Sequence, residues 1–263
     1  MPFFESTNSS IFYVDEGAGP PVIFIHGWTC DIHDWVFQIP YFQKSGYRTI
    51  AFDTRGHGRS PVPSKDNPSE LGPEATVADA EALLRHLDIN ADNPVVVFGH
   101  SSGCLIASLL AISSPRLVRA LVLVSPMYYR LQEEGLAQGR KLDGDAYGLV
   151  NRIFEAQGTT SETPGWLTAR HRIRLLGVPE WVVREAAYQR EPVGSWESAR
   201  KLMPRRQCPR LVVMPNDANV EKEKGLGMGE KDRVEVLRAG HWMHVQESGQ
   251  FNTLVQLWLA QIS

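Results

Sequence analysis

Paired cysteines, long apolar runs and a strong excess of charge of either sign are all missing from this chain of 263 residues. The three cysteines, Cys30, Cys104 and Cys208, are widely spaced and lack metal-ligand spacing, so we expect neither a disulfide framework nor a zinc site. No stretch approaches the roughly 18 apolar residues that a membrane span needs. A formal charge of -3 gives no electrostatic reason to expect nucleic acid or an anionic membrane as a partner.

The N-terminal segment MPFFESTNSS also lacks the pattern of a secretory signal, because an acid stands where basic residues belong and no apolar run follows. This and the sparse cysteines predict a reducing, cytoplasmic location. With 43% hydrophobic and 22% charged residues, the composition is that of a globular protein with a large core. We expect a small-molecule substrate as the partner, and a monomer or homodimer.

Six short runs rich in β-branched and apolar residues end in glycine, proline or a polar turn. They cover residues 21–27, 49–56, 94–101, 120–126, 210–216 and 233–240. Continuous apolar runs are typical of strands covered on both faces, as in a parallel sheet. The earlier pieces PFFES and SIFYVDEG predict an antiparallel hairpin or sheet edge. Helical periodicity appears at residues 75–89, at residues 102–113 and near the C-terminus.

Alternating strands and helices predict an α/β fold, a doubly wound and mostly parallel sheet of about eight strands. Between residues 126 and 208 only helical patterns occur, which predicts a helical cap inserted before the penultimate core strand. Residues 1–125 and 209–263 would form the core. The cap carries many aromatic side chains, which either pack its own small core or together wall an apolar pocket: Tyr128, Tyr129, Phe154, Trp166, Trp181 and Trp196.

The segment FGHSSG, at the junction of a strand and a helix, has the G-x-S-x-G spacing of a nucleophile elbow. Its glycines permit a sharp turn that presents the Ser101 hydroxyl above the sheet. Ser102 then lies at the helix N-terminus, where its backbone N–H can stabilise an oxyanion. The pair His26-Gly27 ends the first core strand and can turn the N–H of Trp28 toward the same point. In the loop DTRGHGRS we expect Asp53, Arg55 and His57 to be structural braces.

A serine needs a base, and the chain has eight histidines. His241 follows the last strand directly, on a loop that opens at the same sheet edge as Ser101, so it is the expected base. His244 is then a pocket or cap-contact residue. The order serine, acid, histidine places the acid after one of two strands. The first ends in Ser125-Pro126 without a carboxylate, so Asp217 is the expected acid, with Glu221 in reserve.

At these motifs the chain resembles the α/β-hydrolase fold superfamily over nearly its whole length. The resemblance lies in HGW, AFDTRGHGRS, GHSSG, the helical insertion and AGHWMHVQESGQFN. It implies that Ser101 is the nucleophile, that His241 is the general base, and that the amides of Trp28 and Ser102 form the oxyanion hole. It also implies no cofactor and no metal. Pro215 stands where family members usually have glycine, and Asp217 follows it by two positions instead of three.

The elbow serine argues against the haloalkane dehalogenase and epoxide hydrolase groups, which have aspartate there. Esterases, lactonases and carbon–carbon bond hydrolases remain. Fungal zearalenone lactonases are similar in size and elbow, but their acid follows the earlier strand. HGWTCD, TRGHGRSP and MPNDANVEKEKG followed by AGHWMHV are similar to cofactor-free dioxygenases of hydroxyquinolones, in which the histidine deprotonates the substrate. Those enzymes also place an acid where this chain has Ser125 and Pro126.

We therefore expect a serine hydrolase that cleaves a small, largely apolar ester or lactone through Ser101, His241 and Asp217 and an acyl-enzyme. One alternative is a cofactor-free dioxygenase of a hydroxyquinolone-type heteroaromatic with His241 as base. Another is a ligand-binding receptor that keeps the hydrolase fold and has little turnover. The expected substrate-pocket residues are His26, His100, Tyr128, Tyr129, Trp166, Trp181 and His244.

Overall fold

A computed structural model of the chain describes residues 3–6, 8–161, 163–190 and 193–262. Eight strands form one sheet in the order β1-β2-β4-β3-β5-β6-β7-β8. Their bounds are β1 Phe3–Ser6, β2 Ser9–Glu16, β3 Pro21–Ile25, β4 Arg48–Phe52, β5 Val95–His100, β6 Val118–Val124, β7 Arg210–Met214 and β8 Arg233–Val236. Strands β3 to β8 run parallel, and β1 and β2 add an antiparallel edge. All six predicted core strands and the N-terminal hairpin are confirmed.

Helices connect the parallel strands. Their bounds are α1 Gln38–Lys44, α2 Pro73–His86, α3 Gly103–Ser113, α4 Gln132–Arg140, α5 Ala146–Ile153, α6 Gly165–Leu176, α7 Glu180–Arg190, α8 Trp196–Leu202, α9 Val220–Lys224, α10 Met243–Gln246 and α11 Ser248–Gln261. The sequence patterns predict α2, α3 and α11 to within a few residues. They do not predict the short helices α1, α9 and α10, whose few turns give too little periodicity to recognise.

The sheet is buried on both faces because alternate side chains of each strand enter different layers. On β3, Ile23 and Ile25 pack in the layer that contains α2 and α3. Val22 and Phe24 of the same strand pack in the opposite layer, with α1 and α11. This arrangement explains the continuous apolar runs, and it brings the carboxyl ends of the parallel strands to one edge.

Helices α4 to α8 lie between β6 and β7, which is where the insertion was predicted. Nine buried residues form an apolar cluster, most of them on α5, α6 and α7 and including Val150, Leu175 and Val182. Trp28 of the core reaches this layer by donating from its indole Nε1 to the carbonyl of Val183 at 3.0 Å. The division of the chain into a core and a cap domain stays a prediction.

Cys30, Cys104 and Cys208 are free thiols. Within the described ranges no helix has both the length and the apolar character needed to cross a membrane.

Candidate active site

The chain turns sharply at Ser101, between the end of β5 and the start of α3. Ser101 has a φ of 54°, in the left-handed region that a non-glycine residue adopts only at a cost. A Cβ atom on Gly99 would lie 2.5 Å from the carbonyl oxygen of Gly103, so glycine is required there for the turn to close. The Ser101 amide donates to the carbonyl of Val124 at 2.8 Å, which fixes the turn to the neighbouring strand.

The loop after β3 packs directly against this elbow. A Cβ atom on Gly27 would lie 3.2 Å from the Cβ of Ser101 and 3.0 Å from the Nδ1 of His100, so a side chain would press on both residues. Throughout the described ranges, neither the amide N–H of Trp28 nor that of Ser102 donates to another protein group. Two unused amides beside a serine hydroxyl have the composition of an oxyanion site.

His241 follows β8 on a loop in which Gly240 has a φ of 73°. Its Nδ1 lies 2.7 Å from the Oγ of Ser125. Burial, reinforced by the positive charge of His100, holds the pKa of His241 well below its usual range. The ring is therefore neutral at physiological pH, as a general base must be.

Ser125 therefore occupies the place of the expected acid. It lies just beyond β6, is 4% exposed, and has a φ of 49°. The sequence does not predict Ser125 as a partner of the base, because a carboxylate is expected in that role. The available signal was chain order, since Ser125 follows one of the two strands that can supply the partner of His241. A hydroxyl can both donate and accept, so it orients the ring but does not determine which nitrogen carries the proton.

The expected pairing of Asp217 with His241 is not formed, and this corrects the sequence analysis. Asp217 lies on the surface, with a side chain that is 66% exposed, and pairs with Arg238. Glu221 is also exposed and pairs with Lys224 at 2.9 Å. Asp217 lies in the loop between β7 and α9, and Glu221 lies on α9; both side chains face solvent.

Glu223, the third acid of this loop, points into the core instead of solvent. It is fully buried and binds Arg206 at 3.1 Å and Arg210 at 3.2 Å. Tyr128 and Tyr129 donate to the same carboxylate at 3.1 Å and 3.0 Å. The hydroxyl groups of these two tyrosines are therefore structural partners of a buried acid, and the place of Tyr128 and Tyr129 in a substrate pocket stays a prediction.

Behind the elbow, Asp34 joins several parts of the site. Its Oδ2 accepts from the amide of Gly27 at 3.2 Å and from Nδ1 of His100 at 2.7 Å. Its Oδ1 lies 3.4 Å from Nη1 of Arg174 on α6. Burial opposes the charge of Asp34, but His100 outweighs it and holds the pKa of the carboxyl well below its usual range. The other nitrogen of His100, Nε2, lies 3.1 Å from the carbonyl oxygen of His241.

Both nitrogens of His100 thus face acceptor oxygens, and the ring is paired with the carboxylate of Asp34. His244 is buried too. Its Nε2 lies 3.1 Å from the carbonyl oxygen of Asp34, and burial, reinforced by the charge of His100, lowers its pKa to about 4. His100 and His244 line none of the described cavities, and their place in a substrate pocket stays a prediction. They position the loops that carry Ser101 and His241.

The remaining pocket predictions divide. His26 lines a cleft beside Trp28 and Ser102, as expected of a pocket residue. Trp166 is 49% exposed and packs on Phe37, so it is a surface residue. Trp181 packs against the apolar cluster of the inserted helices, with Lys65 above its ring, and lines none of the described cavities.

One group of side chains has the composition of a metal site. Ligand atoms of Cys30, Asp34 and His100 lie within 4.8 Å of one another, and all three residues are buried. The guanidinium of Arg174 already supplies positive charge to this carboxylate. Burial raises the pKa of the Cys30 thiol, which opposes the thiolate that a metal would require. The arrangement therefore suits an ion pair between Asp34 and Arg174 better than a bound metal ion.

Residues 22–254 match the family described as "Alpha/beta hydrolase family". A non-heme chloroperoxidase of Streptomyces lividans is 41% identical over 123 residues, which are 46% of this chain and 42% of that protein, so the match spans under half of the relative. The (E)-2-((N-methylformamido)methylene)succinate hydrolase of Acinetobacter baylyi is 31% identical over 97% of this chain and 95% of its own. The enol-lactonase of Burkholderia xenovorans LB400 is similar in fold, with a TM-score of 0.82 at 19% identity over 98% of this chain and 100% of the lactonase.

Proposed function

The chain belongs to the alpha/beta hydrolase family, and from its site we propose that it hydrolyses a small, largely apolar carboxylic ester or lactone. One observation carries this proposal. The strained Ser101 elbow stands beside two amides, of Trp28 and Ser102, that have no acceptor in the described part of the chain. Such donors stabilise charge that develops on a carbonyl oxygen when a hydroxyl attacks the carbonyl carbon.

In the proposed reaction, Nε2 of His241 takes the proton of Ser101 as Oγ attacks the carbonyl carbon. The tetrahedral oxyanion forms between the N–H groups of Trp28 and Ser102. The imidazolium then returns the proton to the leaving alkoxide, and the acyl group stays on Ser101. Water repeats both steps and releases the acid. Ser125, and not Asp217, is the partner of Nδ1.

A second candidate is favoured by the hydroxyl at Nδ1. Without a carboxylate partner, the imidazolium of His241 is less stabilised, so the ring is a weaker base. A hydroxyl on an electron-poor heteroaromatic ring is more acidic than serine and needs only a weak base. His241 could then deprotonate such a substrate for direct reaction with oxygen, with Ser101 positioning it and no acyl-enzyme formed.

A serine-directed fluorophosphonate probe, followed by mass mapping, tests the first proposal. We expect labelling at Ser101, hydrolysis of simple aryl esters, and loss of both in Ser101→Ala, with turnover falling by about three orders of magnitude or more. Ser108→Ala is the matched control, since Ser108 is another buried serine on the helix that follows the elbow. Near wild-type turnover in Ser101→Ala would refute the mechanism. Oxygen uptake with a hydroxyquinolone, without ester cleavage, would select the second candidate.

A further inference from the structure

A cleft opens beside the proposed oxyanion amides, between the core and the inserted helices. It offers about 60 Å³ of space, enough for several water molecules or a small substituent. Its walls include His26, Trp28, His57, Ser102, Ala186 and Arg190. Because Trp28 and Ser102 belong to this wall, a group in the cleft would lie close to a carbonyl held at Ser101.

His57 is one of the residues that line this cleft, and one of its ring nitrogens has no partner in the described structure. Its Nδ1 lies 3.0 Å from the carbonyl oxygen of Arg55 and 3.2 Å from Oγ1 of Thr54. A carbonyl only accepts, so Nδ1 carries the proton and donates to it. Burial, with the neighbouring His26, lowers the pKa of His57 to about 4, so the ring is neutral. Its Nε2 is therefore a lone-pair acceptor, and it is buried without a partner in the described structure.

His26 lines the same cleft but has no such capacity. Its Nε2 accepts from the amide of Thr54 at 3.0 Å, and its Nδ1 lies 2.8 Å from the carbonyl oxygen of Gly27. Both nitrogens are thus used. Of these two rings, only His57 therefore has an acceptor nitrogen without a hydrogen-bond donor from the described protein. A buried polar atom without a partner is destabilising, and in native proteins it calls for water or a ligand.

We propose that Nε2 of His57 accepts a hydrogen bond from a hydroxyl or amide N–H of the substrate, so that the ester or lactone carries such a donor a few bonds from its carbonyl. The inference rests on the proposed function and narrows its substrate class. A neutral imidazole nitrogen without a proton repels the lone pairs of a ketone, ether or carboxylate. The cleft therefore distinguishes a donor from an acceptor of the same size.

Matched esters test this directly. The panel comprises nitrophenyl esters of butanoic acid, of its α- and β-hydroxy and acetamido derivatives, and of the methoxy and N-methylacetamido derivatives, which keep the acceptor oxygen but lose the donor. We expect at least one donor-bearing ester to exceed both its donor-free counterpart and the plain ester by about 10-fold in kcat/KM. His57→Leu should bring this ratio to about one, and His57→Gln, which keeps an acceptor, should retain part of it. His86→Leu, at an exposed histidine on α2, is the control.

The outcomes are distinct. If the wild-type protein cleaves the plain ester and shows no preference for any donor-bearing ester, the inference is overturned and the proposed function stands. This result needs only the wild-type protein, so it holds even if His57→Leu does not fold. A preference that survived in a folded His57→Leu would also overturn it, because an ordered water would then account for the unmatched nitrogen. Failure to cleave any ester would refute the proposed function itself, and the inference with it.

Discussion

Replacing Ser125 with aspartate should increase the hydrolytic activity proposed here. The Ser125 hydroxyl lies 2.7 Å from Nδ1 of His241, so a carboxylate at this position can reach the same nitrogen after a small movement of the loop. Aspartate tolerates the left-handed backbone at this residue, where φ is 49°, better than most side chains do. A carboxylate only accepts, so it fixes the proton on Nδ1 and leaves Nε2 free to act as the base.

The size of the gain follows from charge. Opposite unit charges 4 Å apart in a protein attract by about 4 kcal/mol at an effective dielectric constant of 20. Part of this is lost, because position 125 is only 4% exposed and a new carboxylate there must be desolvated. A net gain of about 1.4 to 2.8 kcal/mol in stabilising the imidazolium corresponds to roughly 10- to 100-fold in kcat.

The assay is steady-state hydrolysis of an aryl ester across pH for three variants. Ser125→Asn is the matched control, since it has the size of aspartate without its charge. Ser125→Ala removes the partner of Nδ1 and should lower kcat by about 10-fold. The acid limb of the Ser125→Asp profile should also move to higher pH, because a carboxylate raises the pKa of His241. Equal rates and unchanged acid limbs in Ser125→Asp and Ser125→Asn would refute the role given to this position.

Two further predictions concern the base and its neighbour Asp34. The pKa of His241 lies well below its usual range, and the neutral ring is the active form. In the wild type, kcat/KM should therefore stay level as the pH falls through 6.5, the ordinary pKa of histidine, and decrease only at lower pH. A profile with its midpoint at the ordinary value would contradict this. Asp34→Asn should slow both turnover and fluorophosphonate labelling by about 10- to 100-fold. Asp232→Asn, which removes another buried acid paired with arginine, at the other end of β7, should change neither. Equal effects in the two variants would show that Asp34 acts only through stability.

Much of the fold is predictable because its signals are local. Continuous apolar runs give the strands, and the glycines at positions 99 and 103 mark the elbow because a Cβ on Gly99 would clash with the chain four residues later. Chain order and position alone select His241. Each of these inferences needs only a short window of sequence and the rule that parallel strands end at one edge.

The side chains that contact these residues are far away in the sequence, so the sequence alone did not predict those contacts. Asp34 belongs to a short 3-10 helix, Ile32–Trp35, and its contact with His100 spans 66 positions. Asp217, in the loop after β7, and Glu223, on α9, are only six positions apart, yet Asp217 is exposed and Glu223 is fully buried. Composition cannot separate them, because the difference comes from two arginines, Arg206 and Arg210, that meet Glu223 in the core.

The buried acids explain why His241 has no carboxylate. Asp34 is committed to His100 and Arg174, and Glu223 is committed to Arg206 and Arg210. Withdrawing either acid from its partners would leave buried cations uncompensated, which costs several kcal/mol. Neither acid can therefore turn toward the base as the reaction proceeds. The carboxylate of Asp34 is paired with His100, and the His100 ring lies beside the base, with the ring centroids of His100 and His241 4.8 Å apart. This makes His241 a neutral but weak base, best matched to carbonyl groups that are already activated.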